Sequence, residues 1–123
     1  MKQFAVLVIA VVVSAKSVAA DLTYLECKLP SITTELLLTL NEGTGKVSQT
    51  YKVDGTGFTA EAQFNPNEII YRNDNPRVGV KEQFTIDRKT LQISHAFSVS
   101  GLEGSDKKDS GLCKVVKPEK NKV

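Results

Sequence analysis

The chain has 123 residues, a formal net charge of +2, 41% apolar residues, two cysteines, one histidine and no tryptophan. That length fits one small domain. The near-neutral charge lacks the footprint of a nucleic-acid-binding protein, and the ordinary apolar fraction excludes a disordered or multi-spanning membrane chain.

Residues 1–20 read as a secretory signal peptide. Lys2 supplies the positive start, an apolar run extends from Phe4 to Val13, and Val18-Ala19-Ala20 meets the small-residue cleavage rule, which puts the cut before Asp21. The run is half of the ~20 apolar residues a helix needs to cross a bilayer. Bulky Glu26 precedes Cys27, so a lipid-anchored product is not expected. Cleavage removes Lys2 and Lys16 and leaves fourteen basic and fourteen acidic side chains. The balance is uneven: residues 21–100 carry eight basic and ten acidic groups, and residues 101–123 carry six and four.

From residue 21 onward, period-two alternation dominates, the signature of half-buried strands. Thr23, Leu25, Cys27 and Leu29 share one face, and Leu36, Leu38 and Leu40 follow. Val47, Tyr51 and Val53 alternate with Lys46, Ser48, Thr50 and Lys52. Phe58, Ala60, Ala62 and Phe64 alternate with Thr59, Glu61 and Gln63. A short run holds Ile69, Ile70 and Tyr71. Val78, Val80, Phe84 and Ile86 come next, then Leu91, Ile93, Phe97 and Val99, and last Cys113 and Val115. Residues 41–45, 54–57, 65–67 and 73–77 are rich in Gly, Pro, Asn and Asp, the residues that turns demand, and 87–90 opens on Asp87 as a further turn signal.

These runs predict about eight short strands joined mostly by tight turns. Tight turns force antiparallel neighbours, so the expected fold is an all-β up-and-down meander closing into a small barrel, with a two-sheet β-sandwich as the alternative. The domain spans 21–117, and 118–123 reads as a solvated tail. An outer-membrane barrel is disfavoured by short strands and by Lys46, Lys52, Glu61 and Lys81 at mid-strand on the polar face. An even cysteine count in an exported chain points to a Cys27–Cys113 disulfide joining the first and last strands. In the chain-entropy model, closing a loop of about 87 residues stabilises by roughly 4.5 kcal/mol.

The search for catalytic chemistry is mostly negative. Residues 42–47 have a phosphate-loop flavour, but Leu40 stands where the first glycine belongs and Val47 where Ser or Thr must follow the lysine. Ser100-Gly101 and Ser110-Gly111 lack the nucleophile-elbow pattern. His95 is the one conceivable general base. It shares a face with Leu91, Ile93, Phe97 and Val99, so it reads first as a satisfied core residue; a functional role needs a carboxylate such as Glu82 or Glu61 and an open pocket. Two cysteines and one distant histidine do not make a zinc site.

Long loops on rigid scaffolds carry function disproportionately, and 101–111 is the longest expected connection. In a meander, odd-numbered connections share one barrel end, here 30–33, 54–57, 73–77 and 101–111. That end is the expected contact surface, with Arg72, Asn73, Asn75, Arg77, Lys107 and Lys108 as candidate binding residues and a positive character.

The signal, the length, the strand pattern and the Leu25-Glu26-Cys27 and Gly111-Leu112-Cys113-Lys114 ends resemble the bacterial c-type lysozyme inhibitors of the periplasm and membrane. The inhibitory Ser-Gly-x-x-Tyr loop of that family is absent: Leu112, Cys113 and Lys114 follow Ser110-Gly111, and Leu102, Glu103 and Gly104 follow Ser100-Gly101. The resemblance therefore implies an architecture and a periplasmic or secreted location, and transfers no inhibitory residue. The expected function is a monomeric, non-catalytic binding protein for a protein or cell-envelope partner, without cofactor, metal or nucleic acid. A carrier of a small apolar ligand is the alternative, and a small hydrolase-type enzyme ranks below it.

Overall fold

The computed structural model describes residues 22–104 and 106–117; the expected signal peptide and the 118–123 tail lie outside the described residues. Eight strands are described: β1 (Leu22–Lys28), β2 (Leu36–Asn41), β3 (Lys46–Tyr51), β4 (Gly57–Phe64), β5 (Glu68–Arg72), β6 (Val80–Asp87), β7 (Gln92–Val99) and β8 (Lys107–Val115). Each pairs antiparallel with its sequence neighbour, and β1 also pairs with β8, so the sheet closes into a barrel in chain order. Closure decides for the barrel over the sandwich. A closed sheet leaves no unpaired edge strand to protect.

The alternation in the sequence becomes inside and outside. Leu25 and Cys27 of β1, Leu36, Leu38 and Leu40 of β2, and Val47 of β3 are buried, and Ile69, Tyr71, Phe84, Ile86 and Ile93 complete the far wall. The apolar face is the inner one. Cys27 and Cys113 face each other in the β1–β8 register and are disulfide-bonded. β8 runs so close to β1 that a Cβ on Gly111 would overlap the Lys28 carbonyl oxygen. Among the described residues no helix is long and apolar enough to cross a membrane.

A stack of rings fills the middle of the barrel. Tyr71 and Phe84 lie 5.0 Å apart at 13°, and Phe58 packs at 6.3 Å from each of them. Gln49 is fully buried beside this stack and accepts a 2.6 Å bond from the Tyr71 hydroxyl, while its Nε2 has no protein partner. Burial, with the Glu82 charge behind it, pushes the Tyr71 hydroxyl well above its ordinary pKa, so it stays a donor.

Three local expectations differ from the structure. Val53 lies in the β3–β4 turn and Val78 in a short 3-10 helix, Pro76–Val78, rather than in strands. Both had continued a period-two pattern past the point where turn residues end the ladder. The third is the expected loop 101–111: the connection stops before Lys107, where β8 begins.

Candidate functional site at one barrel end

The connections 29–35, 52–56, 73–79 and 100–106 lie at the same end of the barrel, as alternating strand direction requires. They are tied in two pairs. Loop 52–56 bonds to 29–35 through Val53 N–H to the Thr34 hydroxyl at 3.1 Å and Lys52 N–H to the Glu35 carbonyl at 2.9 Å. Loop 100–106 joins 73–79 through Ser100 N–H to the Gly79 carbonyl at 2.7 Å.

Inside this mouth the apolar core gives way to a polar cluster. His95 on β7 stacks on Phe84, 4.7 Å between ring centres, and is 7% exposed. Its Nε2 lies 2.7 Å from Glu82 Oε2 on β6, and its Nδ1 lies 3.2 Å from Asp109 Oδ1 on β8. With a hydrogen on each nitrogen the ring donates to both carboxylates at once. The remaining oxygens are also engaged: Ser31 N–H donates to Asp109 Oδ2 at 2.8 Å, and Asn73 Nδ2 donates to Glu82 Oε1 at 3.4 Å. Burial raises the Asp109 pKa, but the Ser31 and His95 hydrogen bonds outweigh it and hold the carboxyl below the ordinary aspartate value.

This cluster supplies one of the carboxylate partners weighed for His95 and corrects the other. Glu82 reaches the ring, whereas Glu61 sits on the outer face of β4 opposite Lys46. Asp109 and Ser31 were not anticipated. The 101–111 stretch is polar enough to read as loop, which hid that Asp109, Gly111 and Cys113 alternate on the inner face of β8. Ser31 Oγ lies 3.4 Å from Nδ1, the nitrogen it shares with Asp109. The geometry therefore serves better as a latch between loop 29–35 and β8 than as an activated nucleophile. Above it opens a recess of about 390 Å³ whose walls include Ile32, Phe97 and Lys107. Among the described residues no group of histidines, cysteines and carboxylates is arranged to hold a metal ion.

The six candidate binding residues separate into three pairs. Arg77 and Lys107 lie on the rim, exposed, at the 3-10 helix and the first position of β8. Arg72 and Lys108 face outward on the barrel wall, with Arg72 Nε 3.0 Å from Asp74. Asn73 and Asn75 are structural. Asn73 bonds Glu82. The Asn75 backbone exchanges bonds of 2.8 and 3.0 Å with Val80. The rim is mixed in charge rather than positive, because Asp54, Asp74, Glu103 and Asp106 lie on the same loops.

The rim also carries what the sequence pattern concealed. Val53 is 75% exposed, Val78 60% and Leu102 61%, one on each of three connections at this end. Val53 and Val78 looked like core positions because they kept the strand period. No family model, curated protein or solved structure matches the chain.

Proposed function

We propose that the protein is an exported, non-catalytic binding protein whose barrel rim contacts a protein or cell-envelope partner. The observation that carries this reading is the trio Val53, Val78 and Leu102, exposed on three separate loops of one end. Isolated apolar residues on a surface are ordinary, but apolar tips gathered on one rim among charged neighbours fit the centre of a contact patch. Export rests on the signal-like residues 1–20 and fits the disulfide, which oxidising compartments preserve.

The carrier alternative has the ring stack against it, because Tyr71 and Phe84 occupy the space a ligand would need. A hydrolase-type reading has one observation in its favour, the 2.7 Å Glu82–His95 pair beneath an open recess. It lacks a nucleophile held by the histidine alone.

The test is capture from an envelope extract by the immobilised, oxidised protein, with lysozyme inhibition assayed alongside. Val53→Asp, Val78→Asp and Leu102→Asp together abolish capture or inhibition. Thr44→Asp, Asn67→Asp and Lys89→Asp, at the opposite end, leave it intact. Both triple variants keep wild-type stability within about 0.5 kcal/mol per site, the usual range for exposed positions. Loss only with the second set, or no partner and no inhibition from the wild type, overturns the proposal.

A further inference from the structure

The outer wall of β5–β8 has a chemistry different from that of the rim. Its outward side chains can be read across the register. One row runs Arg72, Gln83, Ala96 and Lys108 over four strands. The row nearer the opposite end places Thr85, Ser94 and Ser110 side by side, and the row nearer the rim pairs Lys81 with Ser98. Ala96 is the small residue at the centre. Two adjoining depressions of about 260 and 480 Å³ share Gln83, Ala96 and Lys108, so they form one groove along the wall.

The groove carries spaced cations flanked by hydroxyls. At ~4.8 Å per strand, Arg72 and Lys108 stand roughly 14 Å apart, and Lys81 is offset from their row by about 7 Å along β6. Arg72 is paired with Asp74, and Asp106 also borders the groove. Lys81, Lys107 and Lys108 are exposed and make no ion pair within 4 Å among the described residues, though Lys81 is close enough to help lower the Asp74 pKa. Asp109, held inward by His95 and Ser31, borders the other depression, so four cations, Arg72, Lys81, Lys107 and Lys108, stand against three carboxylates, Asp74, Asp106 and Asp109, and the groove keeps a net positive charge.

We infer that this wall is a binding groove for an anionic polysaccharide. A single small anion would meet one or two of these cations, whereas a chain with repeated sulfate, phosphate or carboxylate groups meets several. The Gln83 amide between Arg72 and Lys108, and the serine and threonine hydroxyls in the rows on either side, both donate and accept, which suits sugar hydroxyls. Among the described residues Phe97 is the one phenylalanine or tyrosine that borders the groove, at its rim end, and a single ring gives no run of stacking platforms for successive bases, which disfavours single-stranded nucleic acid. The inference does not rest on the proposed rim contact: Lys107 borders both surfaces, but the rim trio Val53, Val78 and Leu102 and the wall cations Lys81 and Lys108 are separate side chains.

The experiment uses immobilised heparin, a sulfated and carboxylated glycan, as the probe. The oxidised protein is retained at low salt and released by a salt gradient, as expected for screened charge contacts. Lys81→Glu with Lys108→Glu removes retention. Lys46→Glu with Lys114→Glu, the same change in net charge at exposed positions off the groove, keeps it. Circular dichroism of both double variants establishes that each is folded, and Lys81→Gln with Lys108→Gln gives a second loss without charge reversal. Failure of the wild type to bind overturns the inference. So does equal loss in the two charge-matched variants, which would report net charge alone. Binding to an oligothymidylate column that matches heparin in salt resistance also overturns it, because the groove would then read any polyanion.

Discussion

At the scale of single residues, the decisive group is Asp109. Its carboxylate joins β8 to His95 and to the Ser31 amide, and those bonds hold its pKa below the ordinary value despite burial. A carboxyl depressed in the folded state stabilises fully above its unfolded pKa, roughly pH 4, and loses that contribution as pH falls through the lower folded value. Asp54 and Asp87 act in the same direction through turn amides, Asp54 on Thr56 and Asp87 on Lys89 and Thr90. Wild-type thermal stability should therefore fall from pH 4 to pH 2. Asp109→Asn should lower the melting temperature at pH 6 and flatten, without abolishing, the slope below pH 4. A slope identical to wild type, measured by thermal melts across that range, would show that Asp109 is not a linked group. The sequence made His95 legible as an inward residue and Glu82 as a candidate partner. It could not supply Asp109 or Ser31, because the His95–Asp109 bond depends on the β7–β8 register, 14 residues apart, and the Ser31 bond on loop 29–35 meeting β8 across 78 residues.

At the scale of elements, strand periodicity carried most of the information and failed where turn chemistry overrode it. Val53 and Val78 obey the period, but Gly55 and Gly79 take positive φ beside them and end the ladder. Leu91 also has positive φ, 63°, an uncommon conformation for a side chain that packs on the core. β8 was the least legible strand: its first half is Lys107-Lys108-Asp109-Ser110, polar by composition, and its pairing with β7 is what makes it a strand. Gly111 belongs to this element for a steric reason, since β1 leaves no room for a Cβ beside the Lys28 carbonyl. Gly111→Ala should destabilise the barrel by about 1–3 kcal/mol or more, the usual cost of overpacking. Gly104→Ala meets open space and costs only the strain of its positive φ, roughly 1–2 kcal/mol. Denaturant midpoints with unchanged m-values give the comparison; equal shifts for the two variants would refute the close approach.

At the scale of the whole molecule, closure is the organising event. β1 pairs with β8 over Leu25–Lys28 and Leu112–Val115, and the Cys27–Cys113 bond crosses that seam at a separation of 86 residues. Replacing both cysteines by alanine should cost about 2–4 kcal/mol and lower the melting temperature on the order of 10–25 °C, while the far-ultraviolet β spectrum persists at 25 °C. A drop below about 3 °C would mean that the seam's backbone pairing holds the barrel without the staple. The sequence by itself determined the strand order, the inward set from Leu25 to Ile93 apart from Val53, Val78 and the buried Gln49, the barrel end shared by four connections and the cysteine pair. These follow from local rules: a two-residue side-chain period, turns that permit only antiparallel neighbours, and a thiol count of two. Only the tertiary structure decided that the sheet closes, that His95 sits between Glu82 and Asp109, that three apolar tips share the rim, and that cations on β5, β6 and β8 border one groove. Those juxtapositions are set by the curvature and registers of a closed sheet, which bring distant residues together in ways that local periodicity does not encode.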